Sequence, residues 1–156
     1  MTSLTLVRRI RAQPAIVFTA LTTPQGIAQW WGPDEGPVLI AETNARVGGR
    51  FRVRFRTLDG NEHESSGEYL EVIAPRRLVS TWQWVAGGEE RERGAVSRVV
   101  IELRPIDIGT ELTFTHERLQ SEDSRRSHAQ GWQGALEKLA IYLAAGREHG
   151  GEEPAA

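Results

Sequence analysis

The chain has 156 residues, 39% of them hydrophobic and 26% charged, with a formal net charge of -2 and no cysteine. Such a composition fits one globular domain with a sizeable core, and it excludes disulfides, thiolate metal sites and any general electrostatic attraction to nucleic acid or an anionic membrane. No apolar run approaches the ~20 residues of a membrane span and nothing resembles a signal peptide, so a cytoplasmic location is expected.

In chain order, "SLTLVRRIRA" (3–12) has the β-branched and leucine-rich character of a first strand. "PAIVFTALT" (14–22) opens with Pro14, suited to a first helical turn, and repeats Ile16, Val17, Ala20 and Leu21 at helical spacing. Pro24 starts a second short helix that carries Ile27, Trp30 and Trp31 and stops at Gly32-Pro33. From there the period changes to two. "VLIAETN" (38–44) is a strand followed by a "VGG" turn (47–49), and "RFRVRFR" (50–56) alternates throughout, with Phe51, Val53 and Phe55 on one face and four arginines on the other.

"LDGN" (58–61) signals a hairpin, from which "EHESSGEYLEVI" (62–73) returns. With the loop at Leu58-Asp59-Gly60, Arg56 opposes Glu62, Arg54 opposes Glu64 and Arg50 opposes Glu68. The arginine stripe therefore reads as a solvated sheet exterior with acidic partners rather than as an anion-binding surface. "RLVSTWQWV" (77–85), "AVSRVVIELRP" (95–105) and "GTELTFTHERL" (109–119) complete about seven strands, six in succession, as in an antiparallel meander; "AGGEERERG" (86–94) and "IDIG" (106–109) connect them.

A long helix follows, from about Ser121 to Ala145. Trp132, Leu136, Leu139 and Leu143 form its apolar stripe, widened by Ala135 and Tyr142. Gly146 stands where a C-terminal cap belongs, so residues 1–146 read as one domain and 147–156 as a flexible tail. Apart from Lys138, the chain's only lysine, the basic residues are all arginine, which reads as coding bias rather than function.

The order β-α-α-β6-α resembles the α+β helix-grip fold of the START/Bet v 1-like (SRPBCC) superfamily, a curved antiparallel sheet wrapped around a long C-terminal helix. "AQP..VF.ALTTP..IAQWWGP" (12–33), "ARVGGRFR" (45–52), "G.YLEVIAPRRLVSTWQW" (67–84), "GTELTFTHERL" (109–119) and "SRRSHAQGWQGALEKLAIYL" (124–143) narrow the likeness to the activator of Hsp90 ATPase homologue 1-like (AHSA1-like) family, over residues 4–144. Asn44 departs from the Asp many relatives carry before "RVGG". The eukaryotic activators make their principal chaperone contacts through an additional N-terminal domain, so the resemblance implies the fold and its cavity and gives no direct support to an Hsp90 interaction.

In such a fold the inward set read from alternation is Phe51, Val53, Phe55, Trp82, Trp84, Val99, Ile101, Leu103, Leu112, Phe114 and His116. On the helix, His128, Gly131, Trp132 and Ala135 share one face. Small residues there, against Leu136, Leu139, Ile141 and Leu143 further on, suggest one packed end and one open end. The expected ligand-binding set is Trp31, Phe51, Val53, Phe55, Tyr69, Trp82, Trp84, Phe114, His116, His128, Gly131, Trp132 and Ala135, around an apolar or aromatic small molecule. Arg8 falls on the face of Leu6 and Ile10, with an ion pair such as Glu71 as its expected partner.

Catalytic and metal signatures are sparse. His63, His116, His128 and His149 lack metal-ligand spacing, and GxSxG, GxGxxG and Walker A loops are missing, so no metal, cofactor or catalytic residue is assigned. The leading expectation is a small-molecule binding protein, with a homodimer plausible through a sheet edge. The alternatives are a polyketide cyclase or aromatase-like enzyme using His116 or His128, and a chaperone-associated interaction protein.

Overall fold

The computed structural model describes residues 2–87 and 94–152. Most of the connection expected at 86–94, and the last four residues of the expected tail, lie outside the described residues. The elements are β1 (Thr2–Ile10), α1 (Pro14–Thr22), α2 (Pro24–Trp30), β2 (Val38–Thr43), β3 (Arg50–Arg56), β4 (Glu62–Ile73), β5 (Arg77–Ala86), β6 (Ser97–Ile106), β7 (Gly109–Leu119) and α3 (Glu122–Glu152). The seven strands form one curved, open, antiparallel sheet in the order β1-β7-β6-β5-β4-β3-β2. Together with the long C-terminal helix this is the α+β helix-grip architecture.

Local chemistry explains the boundaries. Pro14 and Pro24 occupy the first turns of α1 and α2, and the Thr23 side chain accepts from Gly26 N to cap α2. Trp31 leaves the helical region, and Gly32 turns the chain away at φ +97°, a conformation that a side chain resists. The WWGP sequence thus ends α2 and sends the next loop back across the molecule. In β3 the apolar side chains are buried and the arginines face outward. The β3–β4 register pairs Arg50 with Glu68, Arg54 with Glu64 and Arg56 with Glu62. Side chains also bridge diagonally, Arg52 Nε to Glu64 at 2.9 Å and Arg54 Nε to Glu62 at 2.9 Å.

α3 lays Trp132, Ala135, Leu136, Leu139 and Leu143 into the core. Each fully buried leucine contributes roughly 1.5–3 kcal/mol, enough for this stripe to hold the helix against the sheet. Tyr142, expected to widen that stripe, and Ile141, expected at the packed end of the helix, are exposed, by 39% and 63%. At 100° per residue, position 141 lies more than half a turn from 139, on the solvent side. The helix also continues past Gly146, where a cap was expected. One glycine costs a helix about 1 kcal/mol and does not by itself end it.

The expected Arg8–Glu71 pair does not form. Strand order puts β1 at the opposite edge from β4's neighbourhood, Glu71 engages Arg77 at 3.3 Å, and Arg8 donates to the carbonyl of Val7.

Candidate functional site

Between α3 and the β3–β5 side of the sheet lies an open cleft of about 550 Å³. Its wall is aromatic: Trp31, Phe55, Trp82, Trp84 and Trp132. Gly131 and Ala135 border it from the helix, and Gly32, Pro33, Asp34, Thr57, His63, Ser127, His128 and Gln130 complete the lining. The rings interlock. Trp31 stacks on Trp82 with centroids 5.6 Å apart, while Trp132 and Trp84 meet Trp82 edge-on at 4.9 and 5.5 Å. Trp30 points the other way, fully into the core, its indole donating to the Ala20 carbonyl at 2.9 Å. The adjacent tryptophans therefore divide the work, one closing the core and the other forming the cleft wall.

Two glycines of α3 play different parts. A Cβ on Gly134 would meet the Pro33 carbonyl oxygen at 2.2 Å, so Gly134 is small because the rim loop crosses the helix there. A Cβ on Gly131 would find only Pro33 Cβ, at 3.9 Å, so Gly131 leaves open volume. The rim loop is tied down on both sides. Lys138 Nζ donates to the carbonyls of Trp31 at 3.0 Å and Asp34 at 2.6 Å, and the Asp34 carboxylate accepts from Gly36 N and Leu58 N. Burial lowers the Lys138 pKa, against the opposing pull of Glu35 and Asp34.

Behind the wall stands a histidine pair. His116 and His128 meet edge-on with ring centroids 4.9 Å apart. The Trp132 indole donates to His116 Nδ1 at 3.0 Å, and the Trp84 indole donates to His128 Nε2 at 3.2 Å. An indole nitrogen can only donate, so each of those ring nitrogens carries a lone pair. The proton of His116 is therefore on Nε2, 2.7 Å from Ser97 Oγ, and that of His128 on Nδ1, 2.9 Å from the Ser124 carbonyl. Both imidazoles are neutral in this arrangement, with both nitrogens engaged. Burial, and then the neighbouring His128, push the His116 pKa well below its ordinary value.

Of the thirteen residues expected to contact a ligand, Trp31, Phe55, Trp82, Trp84, His128, Gly131, Trp132 and Ala135 line the cleft. Phe51, Val53, Tyr69, Phe114 and His116 do not; all are buried in the core behind it. Around Phe51, Tyr69 and Phe114 only a void of about 40 Å³ remains. Alternation identifies the inward face of a strand but not the depth along it: Phe51 is covered by Trp31 and Tyr69, and Phe114 and His116 by Trp132. The Tyr69 hydroxyl is spent on Thr43 at 2.6 Å.

Sequence reasoning missed Gly32, Pro33, Asp34, Thr57, His63, Ser127 and Gln130. His63 had a usable signal, since the Arg–Glu register already placed it opposite Phe55, and the two rings stack at 5.2 Å. The rim loop had none, because it follows no period. Among the described residues no three His, Asp or Glu side chains converge as metal ligands would, and no helix is long and apolar enough to cross a membrane.

Over residues 11–144 the sequence matches the family described as activator of Hsp90 ATPase homologue 1-like protein. The fold is shared with a Chromobacterium violaceum protein at 26% identity and TM-score 0.80, covering 92% of this chain and 98% of that one. The AHSA1 protein of Silicibacter pomeroyi is similar at 27% identity and TM-score 0.80, with 92% and 99% covered. A Nitrosomonas europaea protein follows at 26% identity and TM-score 0.76, with 94% and 96% covered. No curated protein matches the sequence.

Proposed function

The chain belongs to the activator of Hsp90 ATPase homologue 1-like family, and on that premise we propose that it binds an apolar or aromatic small molecule in the cleft between the sheet and α3. One observation carries this reading. The aromatic wall of Trp31, Phe55, Trp82, Trp84 and Trp132 borders about 550 Å³ of open space, while the core immediately behind retains about 40 Å³. A folding core would gain stability by closing that space. Its volume falls within the range typical of small-molecule sites, which are mostly apolar with a few polar groups to fix orientation. Gly131 adds to the support, since an alanine there would favour the helix.

An acid–base enzyme of the cyclase type has weaker support. A general base needs a lone pair aimed at the substrate, and the lone pairs of His116 and His128 are both held by indole donors. The two histidines serve better as fixed acceptors that orient the wall.

The test is calorimetric titration with a panel of small bicyclic and tricyclic aromatics. Wild type should bind members of the panel, and Gly131→Leu, whose side chain enters the open volume, should lose them while unfolding cooperatively. Equal binding by both proteins would place the ligand elsewhere and refute the reading.

A further inference from the structure

We infer that the cleft selects flat ligands carrying a positive charge, such as a quaternised nitrogen heterocycle, over neutral or anionic ligands of the same shape; this rests on the binding reading above. The wall sets the preference first. Indole and phenyl faces carry the negative lobe of the ring quadrupole and attract a cation within about 6 Å of the ring centroid, tryptophan most strongly. Four of the five wall rings are tryptophan.

The charged lining points the same way. Among the described residues bordering the cleft, Asp34 supplies a carboxylate and no lysine or arginine appears. Asp34 is fixed before any ligand arrives, with Oδ1 accepting from Gly36 N at 2.9 Å and Oδ2 from Leu58 N at 3.0 Å. An anion entering here meets a fixed negative charge beside an aromatic wall, with no guanidinium or ammonium among the described lining residues to compensate. The neighbouring charges do not reverse this. Lys138 packs under the rim loop, but its ammonium is engaged by the Trp31 and Asp34 carbonyls and faces the charges of Glu35 and Asp34. On the hairpin side, His63 bonds Thr57 and lies near the negative Asp59. On α3 the residues at the mouth are Ser127 and Gln130, both exposed and uncharged.

The experiment compares three bicyclic probes of nearly equal size by calorimetry at pH 8: N-methylquinolinium, quinoline and 1-naphthoate. N-methylquinolinium should bind about tenfold more tightly than quinoline, with 1-naphthoate weakest, and raising the salt should shrink the cation's advantage. Asp34→Asn should lower the ratio of N-methylquinolinium to quinoline affinity several-fold, a ratio taken within the one variant so that any shift of the rim loop acts on both probes alike. Gln130→Lys, on an exposed helical position that tolerates lysine, should erase the preference for the cation and improve 1-naphthoate. Binding of quinoline with an equal or weaker affinity for N-methylquinolinium would overturn the charge preference alone. Binding of none of the three would overturn the cleft reading and the preference together.

Discussion

Trp132 donates its indole N–H to Nδ1 of His116 at 3.0 Å, and that one bond fixes the tautomer of a fully buried imidazole. The same proton arrangement continues through His116 Nε2 to Ser97 Oγ, which lies 3.4 Å from the Trp82 carbonyl. β7, β6, β5 and α3 are thereby joined by one polar chain inside an otherwise apolar layer. Such a chain is specific because each member has a single acceptable orientation.

Two tryptophans of similar burial should therefore respond differently to replacement by phenylalanine. Trp132→Phe leaves His116 Nδ1 buried without a donor, a loss of roughly 1–3 kcal/mol beyond the packing change. Trp82→Phe removes an indole N–H that has no hydrogen-bond partner among the described residues, so only packing is lost. Urea denaturation should show Trp132→Phe as the less stable variant. A Trp82→Phe variant that is equally or more destabilised would mean that the indole–imidazole bond contributes nothing.

Stability should fall on mild acidification, and His116 should be a main cause. Its folded-state pKa lies well below the ordinary 6.5 because burial disfavours the charged ring. Below that ordinary value the unfolded chain takes up a proton that the native protein refuses. The contribution is thus complete above pH 6.5 and declines as pH falls, by up to about 1.4 kcal/mol per pH unit. Denaturation midpoints of wild type and His116→Gln, compared from pH 8 to pH 5, should converge toward the acid end. Parallel curves would show that His116 titrates alike in both states.

The helix glycines offer a third contrast. Gly131→Ala should raise stability by up to about 1 kcal/mol, the helix-propensity gain, because nothing crowds the new methyl group. Gly134→Ala should lower it, because its methyl group would lie 2.2 Å from the Pro33 carbonyl oxygen and must push the rim loop away. Thermal melts of the two variants should move in opposite directions. Movement in the same direction would remove the distinction between a space-leaving and a contact-making glycine.

Much of this architecture is visible in local pattern. The alternation in β3, the 58–61 turn and the opposing Arg–Glu pairs fix the β3–β4 hairpin to the residue, because side-chain period and turn length together allow one register. The α3 stripe is equally legible from Trp132 to Leu143. What escapes is contact between elements distant in sequence. The Lys138 to Trp31 bond spans 107 residues and leaves no periodic trace, so the sequence assigns that lysine no contact. Lys138 supplies a compact ammonium to two carbonyls, Trp31 at the end of α2 and Asp34 in the rim loop, a geometry less suited to the planar fork of arginine. Pro33 against Gly134 escaped for the same reason, and with it the rim loop that carries Asp34. Arg8 was misassigned because strand order within a sheet cannot be read from one strand's alternation.

All five tryptophans of the chain belong to one connected cluster: Trp30 lies 5.2 Å from Trp31, Trp31 5.6 Å from Trp82, and Trp82 5.5 and 4.9 Å from Trp84 and Trp132. At these separations the ultraviolet transition dipoles couple, and light absorbed by any one indole migrates among them before emission. The protein's luminescence is therefore a collective property of the cluster. A guest resting on that wall is sensed by all five chromophores at once, including Trp30, which faces the core, and the circular dichroism of the folded chain records the mutual orientation of the rings without any attached label.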